Sequence, residues 1–263
     1  MDFGLKGKSV IVTAGSKGLG KASAKQFAFE GAHVLIASRS KSDLEKAKKE
    51  IREETGNPNV KYAVCDMTKG QDIQDLMTQA VEWNGTVDVL INNTGGPPSG
   101  GFDSFGDEDW QNAFELNLLS FVRTIRAVLP HMRKNGNGHI VNIASSSIKQ
   151  SIDHLILSNT FRAGIVGLAK SLSQELASDN ILINTVGPGR IATDRVAGLD
   201  QNRADKLGVS PHQLRDQNEK AIPLGRYGSP EEFAKTVVYL CSEANSYMTG
   251  QALVIDGGMV KAL

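Results

Sequence analysis

A doubly wound α/β sheet of about seven parallel strands, with helices on both faces, is the architecture predicted for this 263-residue chain. Three observations predict it. Short, continuously apolar, β-branched runs alternate with longer amphipathic segments, the rhythm of a sheet buried on both faces. The first apolar run ends in a glycine-rich turn from which an amphipathic run rises. No repeat, low-complexity tract or linker interrupts the pattern, so residues 1–263 are expected to form one domain.

The strands are expected at 10–12, 33–37, 60–65, 87–91, 139–143, 181–186 and 252–255. Helices fall between them. The first, 19–30, is stopped by Gly31. Ser42 with Glu45 reads as a capping box opening a charged helix to Thr55, closed by Gly56 and Pro58. Thr68 with Gln71 caps the next, which ends near Trp83. A long helical pattern runs over 107–129 and is expected to stop at Pro130. Another covers 161–177 and starts there or several residues earlier. A polar segment, 190–222, breaks the rhythm and is expected to be a substrate lid. Ser229, Pro230 and Glu232 then supply the cap, first-turn proline and box glutamate of the last helix.

With 29 basic and 29 acidic residues and no long run of either sign, neither nucleic acid nor an anionic membrane is expected as partner. Cys65 and Cys241 make no disulfide framework, and the five histidines show no metal spacing. No apolar run reaches membrane-spanning length, and residues 1–8 lack a signal peptide's apolar centre, so a cytoplasmic location is expected.

The turn Gly15-Ser16-Lys17-Gly18-Leu19-Gly20 carries the first chemical reading. A strand entering and a helix leaving such a turn present unpaired backbone N–H groups and the positive end of a helix dipole, a seat for a pyrophosphate. Right-handed crossovers place Ser38, Asp66, residues 92–96, Ser145 and Pro188 on the same rim, each directly after a strand. At the end of the second strand Ser38 and Arg39 stand where a carboxylate would accept a ribose 2′-hydroxyl. Serine with two cations, Arg39 and Lys17, welcomes a 2′-phosphate instead, so NADP(H) is the expected coenzyme.

These strand ends resemble the short-chain dehydrogenase/reductase family over essentially the whole chain. The family's TGxxxGxG turn stands as Thr13-Ala14-Gly15-Ser16-Lys17-Gly18-Leu19-Gly20, with Ala14 for the first glycine. Its NNAG stands as Asn92-Asn93-Thr94-Gly95. The resemblance implies a Rossmann-type dinucleotide-binding domain. It also implies adenine contacts at Asp66 and Met67, coenzyme contacts at Asn93 and Gly95, and a structural and catalytic role for Asn117. The segment Pro188, Gly189, Ile191 and Thr193 matches the family's cradle for the nicotinamide carboxamide. The ending Ile255-Asp256-Gly257-Gly258 looks like the family's tetramer-forming tail, which implies a homotetramer or dimer.

One family motif is missing. Counting back from Ala163-Gly164 puts Arg162 in the place of the catalytic lysine and Ser158 in the place of the tyrosine. Ser145 keeps the family's catalytic serine, and no tyrosine occurs between Tyr62 and Tyr227. A serine hydroxyl is a far poorer acid than a phenol, and arginine does not relay a proton. Arg162 keeps a positive charge that either holds the nicotinamide ribose or stabilises an oxyanion. The expected activity is reduction of a carbonyl or quinone-like small-molecule acceptor by hydride transfer, with an Asn117-Ser145-Ser158-Arg162 set. Two alternatives stand beside it. One is a 3-oxoacyl-type ketoreductase using water or His154 as acid, and the other a non-catalytic NADP(H)-binding oligomeric sensor or scaffold. Arg190, Arg195, Arg203 and Lys206 of the lid either grip an anionic substrate or form a solvated face.

Overall fold

Seven strands form where the apolar runs lie: β1 Ser9–Thr13, β2 His33–Ser38, β3 Val60–Val64, β4 Val89–Asn92, β5 Gly138–Ile143, β6 Ile181–Pro188 and β7 Ala252–Ile255. All pair in parallel in one sheet of order β3-β2-β1-β4-β5-β6-β7. The structure is a computed structural model describing residues 2–262; Met1 and Leu263, the ends of the expected domain, lie outside the described residues.

Nine α-helices connect or flank the strands among the described residues: α1 Gly18–Phe29, α2 Lys41–Thr55, α3 Gly70–Asn84, α4 Asp107–Phe114, α5 Ser120–Asn135, α6 Ile156–Glu175, α7 Asp194–Leu207, α8 Pro211–Lys220 and α9 Pro230–Leu240. Strand side chains alternate between two cores. Val10, Val12, Val34 and Ile36 join Phe27, Leu44, Ile51 and Phe233 on one face. Ile11, Leu35 and Leu90 join Ile73, Leu76, Ile125, Met132 and Ala169 on the other. Burial on both faces is why these strands read as unbroken apolar runs rather than as alternating ones.

Local chemistry departs from the sequence reading at three places. Ser40, not Ser42, caps α2 by accepting the Asp43 amide at 3.3 Å, while Glu45 instead accepts the Tyr62 hydroxyl. Thr68 caps nothing: its hydroxyl donates to Asp66 Oδ1 at 2.9 Å, and α3 starts without a side-chain cap. Pro130 does not end its helix, which runs on to Asn135 and closes on Gly136 in the left-handed region. Phe121, Ile125, Val128 and Met132 make one buried stripe across Pro130, and the proline lies on the solvent side. There the carbonyl it leaves unpaired faces water, and the stripe outweighs the lost bond.

The long helix is interrupted at one point, a π-turn at Glu115–Leu119 between α4 and α5. Its extra residue rotates Asn117 inward, where the side chain is fully buried.

The sheet switches direction between β1 and β4, and their carboxyl ends diverge into a crevice. One side chain pins that fork. Thr13 Oγ1 donates to the Asn93 carbonyl at 2.7 Å and accepts the Asn93 amide at 2.8 Å. The next residue, Ala14, has φ of 45°, a left-handed conformation. Replacing Ala14 by glycine is therefore expected to stabilise the fold by about 0.5–1 kcal/mol, the relieved strain less the freedom of the unfolded glycine. A rise in urea midpoint at constant slope is the readout.

Candidate functional site

At the carboxyl ends of the strands lies a cleft of about 890 Å³. Its lining gathers Ser16, Lys17, Gly18, Leu19, Ser38, Arg39, Asp66, Met67, Asn93, Gly95, Ser145, Ser158, Arg162, Pro188, Gly189, Ile191 and Thr193. Three of the expected residues stand behind the wall. Gly15 and Gly20 are buried, and a Cβ on Gly15 would lie 2.9 Å from the Ile36 Cβ. One on Gly20 would run into the Ala14 carbonyl oxygen. Both allow the turn to fold tightly over β2 and under α1. Asn117 also stands behind, donating from Nδ2 to the Gly95 carbonyl at 3.2 Å.

Two helix N-termini converge on the glycine turn. α1 rises directly from it. Thr193 caps α7, its hydroxyl accepting the Val196 amide at 3.3 Å, and its methyl lies against Gly18. Both helix N-termini line the cleft, and such ends suit an anionic group.

At the far end of β2, Ser38 Oγ is buried and has no protein partner. Arg39 is exposed beside it. Lys17 is not free: its ammonium pairs with Asp43 at 2.8 Å, and that contact holds the Asp43 carboxyl below its usual range. Asp66 is also held low against its burial, by the backbone amide and hydroxyl of Thr68 and by the charge of Arg39.

Elsewhere in the cleft lie Ser145, Ser158 and Arg162. Ser145 Oγ accepts the Ser147 amide at 3.2 Å, which leaves its hydroxyl hydrogen to point elsewhere. Ser158 and Arg162, one turn apart on α6, both line the cleft. Arg162 is buried, donates from Nη1 to the Ile143 carbonyl at 2.8 Å, and lies over the Phe121 ring. Burial, with the charge of Arg195 second, lowers its pKa to about 10, so the guanidinium stays charged at neutral pH. No tyrosine lines the cleft. His154 is exposed, outside the lining, in a left-handed turn with φ of 57°, which corrects its place as a nearby proton donor. What it contributes is its carbonyl, which accepts the Gly100 amide at 2.7 Å.

Four cations of the 190–222 segment divide. Arg190 pairs with Asp200 at 2.6 Å and lies over the Tyr227 ring, and the Tyr227 hydroxyl donates to Asp200 at 2.7 Å. Arg203 and Lys206 are solvated. Arg195 alone lines the cleft, donating from Nη2 to the Pro97 carbonyl at 2.9 Å. Thr94 also lines it, with a buried, unpartnered hydroxyl that the sequence reading did not single out. Among the described residues no cluster of histidine, cysteine and carboxylate groups has a metal's geometry, and no helix is long and apolar enough to cross a membrane.

The family model described as enoyl-(acyl carrier protein) reductase matches residues 13–260. The 3-oxoacyl-(acyl-carrier-protein) reductase of Chlamydia muridarum is 35% identical over 255 residues, covering 97% of this chain and 98% of its own. L-sorbose reductase from Gluconobacter frateurii, solved with NADPH and L-sorbose, superposes with a TM-score of 0.94 at 31% identity and full coverage of both chains. A single-residue variant of actinorhodin polyketide ketoreductase, solved with NADPH, gives 0.92 at 34% identity, covering 96% of this chain and 97% of that one.

Proposed function

Because the chain belongs to the short-chain dehydrogenase/reductase family, we propose that it is an NADP(H)-dependent reductase of activated carbonyl compounds. The coenzyme fits the residues present. Ser38 Oγ and Arg39 suit the 2′-phosphate, Asp66 and Met67 the adenine, and the two helix N-termini the pyrophosphate. Gly15 and Gly20 shape the turn that holds it, with Ser16, Lys17, Gly18 and Leu19 on its surface. Pro188, Gly189, Ile191 and Thr193 line the nicotinamide end. When bound, NADPH supplies the hydride.

The chain's own residues then handle charge rather than protons. Ser145 and Ser158 donate hydrogen bonds to the substrate oxygen, and Arg162 stabilises the negative charge that develops there. Asn117 acts through Gly95, holding the loop against which the substrate lies. The proton comes from water, because neither a serine nor a buried guanidinium gives one up at neutral pH. Activated acceptors suit such a site, since their alkoxide or enolate forms before protonation is complete. α7 lines the substrate end, tied to the body by the Arg190–Asp200–Tyr227 cluster.

The observation that carries this reading is Arg162: a charged group fixed by the Ile143 carbonyl on a cleft wall that holds no phenol. The test is a pH profile of NADPH-dependent turnover on a 1,2-diketone. kcat/KM should stay flat between about pH 7 and about pH 9, because the serine hydroxyls do not ionise there and Arg162, at about 10, stays charged. A limb with an apparent pKa inside that window would reveal a general acid and overturn the mechanism.

A further inference from the structure

Arg162 is buried on the cleft wall and uses one donor on a backbone carbonyl. A guanidinium carries five N–H donors, so most of its capacity is left for a ligand. Arg195 faces the same cleft from the first turn of α7, with one Nη2 bond to Pro97 spanning the mouth. Both guanidinium groups line the one cleft, and the charge of Arg195 adds to burial in lowering the pKa of Arg162. Asp194 also lines the cleft but forms no ion pair with either guanidinium among the described residues. On the lining of the same cleft Thr94 Oγ1 is buried without a partner. A buried charge held beside a like charge is unfavourable until an anion joins both. The phosphates of a dinucleotide have their own seats, at the glycine turn and beside Arg39.

Resting on the reductase reading above, we infer that Arg162 and Arg195 form a carboxylate subsite, and that the substrate is a small oxo acid. Its carboxylate bridges the two guanidinium groups, which match a planar anion by paired N–H donation. The carbonyl oxygen, one or two carbons away, then falls to Ser145 and Ser158. The reaction balances as oxo acid plus NADPH plus a proton from water, giving hydroxy acid and NADP⁺. The donors that Arg162 has left over still face the charge that develops on that oxygen.

Matched pairs test this: 2-oxobutanoate and acetoacetate against their methyl esters, with NADPH. The acids should exceed the esters in kcat/KM by at least roughly tenfold. Arg195→Gln should remove that preference by raising the KM of the acids roughly tenfold relative to that of the esters, with the NADPH Kd unchanged. Malonate, titrated calorimetrically with and without NADPH, should bind the parent and not the variant. Esters equal to acids, or an Arg195→Gln variant that loses NADPH affinity instead, would overturn the subsite. A parent that binds NADPH but not malonate would overturn it while leaving the coenzyme reading intact. A parent that binds malonate but not NADPH would do the reverse.

Discussion

Installing a phenol and an amine together, Ser158→Tyr with Arg162→Lys, should raise turnover of a neutral, unactivated ketone by about 10²-fold, the usual contribution of a positioned general acid. Both positions face the cleft from one side of α6, so the new hydroxyl and ammonium would be neighbours. A phenol titrates near 10, and an adjacent ammonium lowers that further. Ser158→Tyr alone should gain less, because the guanidinium remains tied to Ile143. A 1,2-diketone should respond little to the pair, since its oxyanion is stable without prompt protonation. Steady-state kcat/KM on the two substrate classes separates these outcomes. A folded double variant that binds NADPH yet gains nothing on the ketone would show that proton supply does not limit the parent.

Reversing the charge at Arg39 should have the second large effect. Arg39→Glu is expected to weaken NADPH by about 10²-fold or more while moving NADH less than tenfold, because a carboxylate repels the 2′-phosphate and accepts a 2′-hydroxyl. Arg39 carries this selectivity because Lys17 is already paired with Asp43. Asp43→Asn, which frees Lys17, should for the same reason tighten NADPH by a few-fold and leave NADH alone. Fluorescence titration with both coenzymes measures all four affinities. Equal losses for NADPH and NADH in Arg39→Glu would place the residue outside the phosphate site.

The strand-helix rhythm was legible because period and turn chemistry are local: every strand lies where an apolar run predicted it, and Ser229 with Glu232 caps α9 as read. Pro130 misled because a helix stop was judged from one residue, whereas the buried stripe on both sides of it decides the outcome. Ser40 and Ser42 are chemically alike as caps, and the point at which α2 begins, Lys41, makes Ser40 the one used. The π-turn at Asn117 has no periodic signature, since one extra residue shifts a pattern that is already approximate. The rim residues followed from strand ends. The direction of Arg195 did not, because neighbours in sequence such as Arg190 carry the same charge and turn to Asp200 instead. Likewise, the Lys17–Asp43 pair joins residues on separate segments, and nothing in either segment alone announces it.

The bond from Gly100 to the His154 carbonyl has a companion, in which the Ile156 amide donates to the Gly100 carbonyl at 3.4 Å. Together they stitch the proline-bearing wall of the cleft to the first residues of α6, two positions before Ser158. That wall cannot swing outward without tilting the helix that carries Ser158 and Arg162. On the opposite side α7 meets the same wall through the Arg195–Pro97 contact. The two edges of the cleft are thus joined unequally, by a pair of backbone bonds on one and an arginine contact on the other.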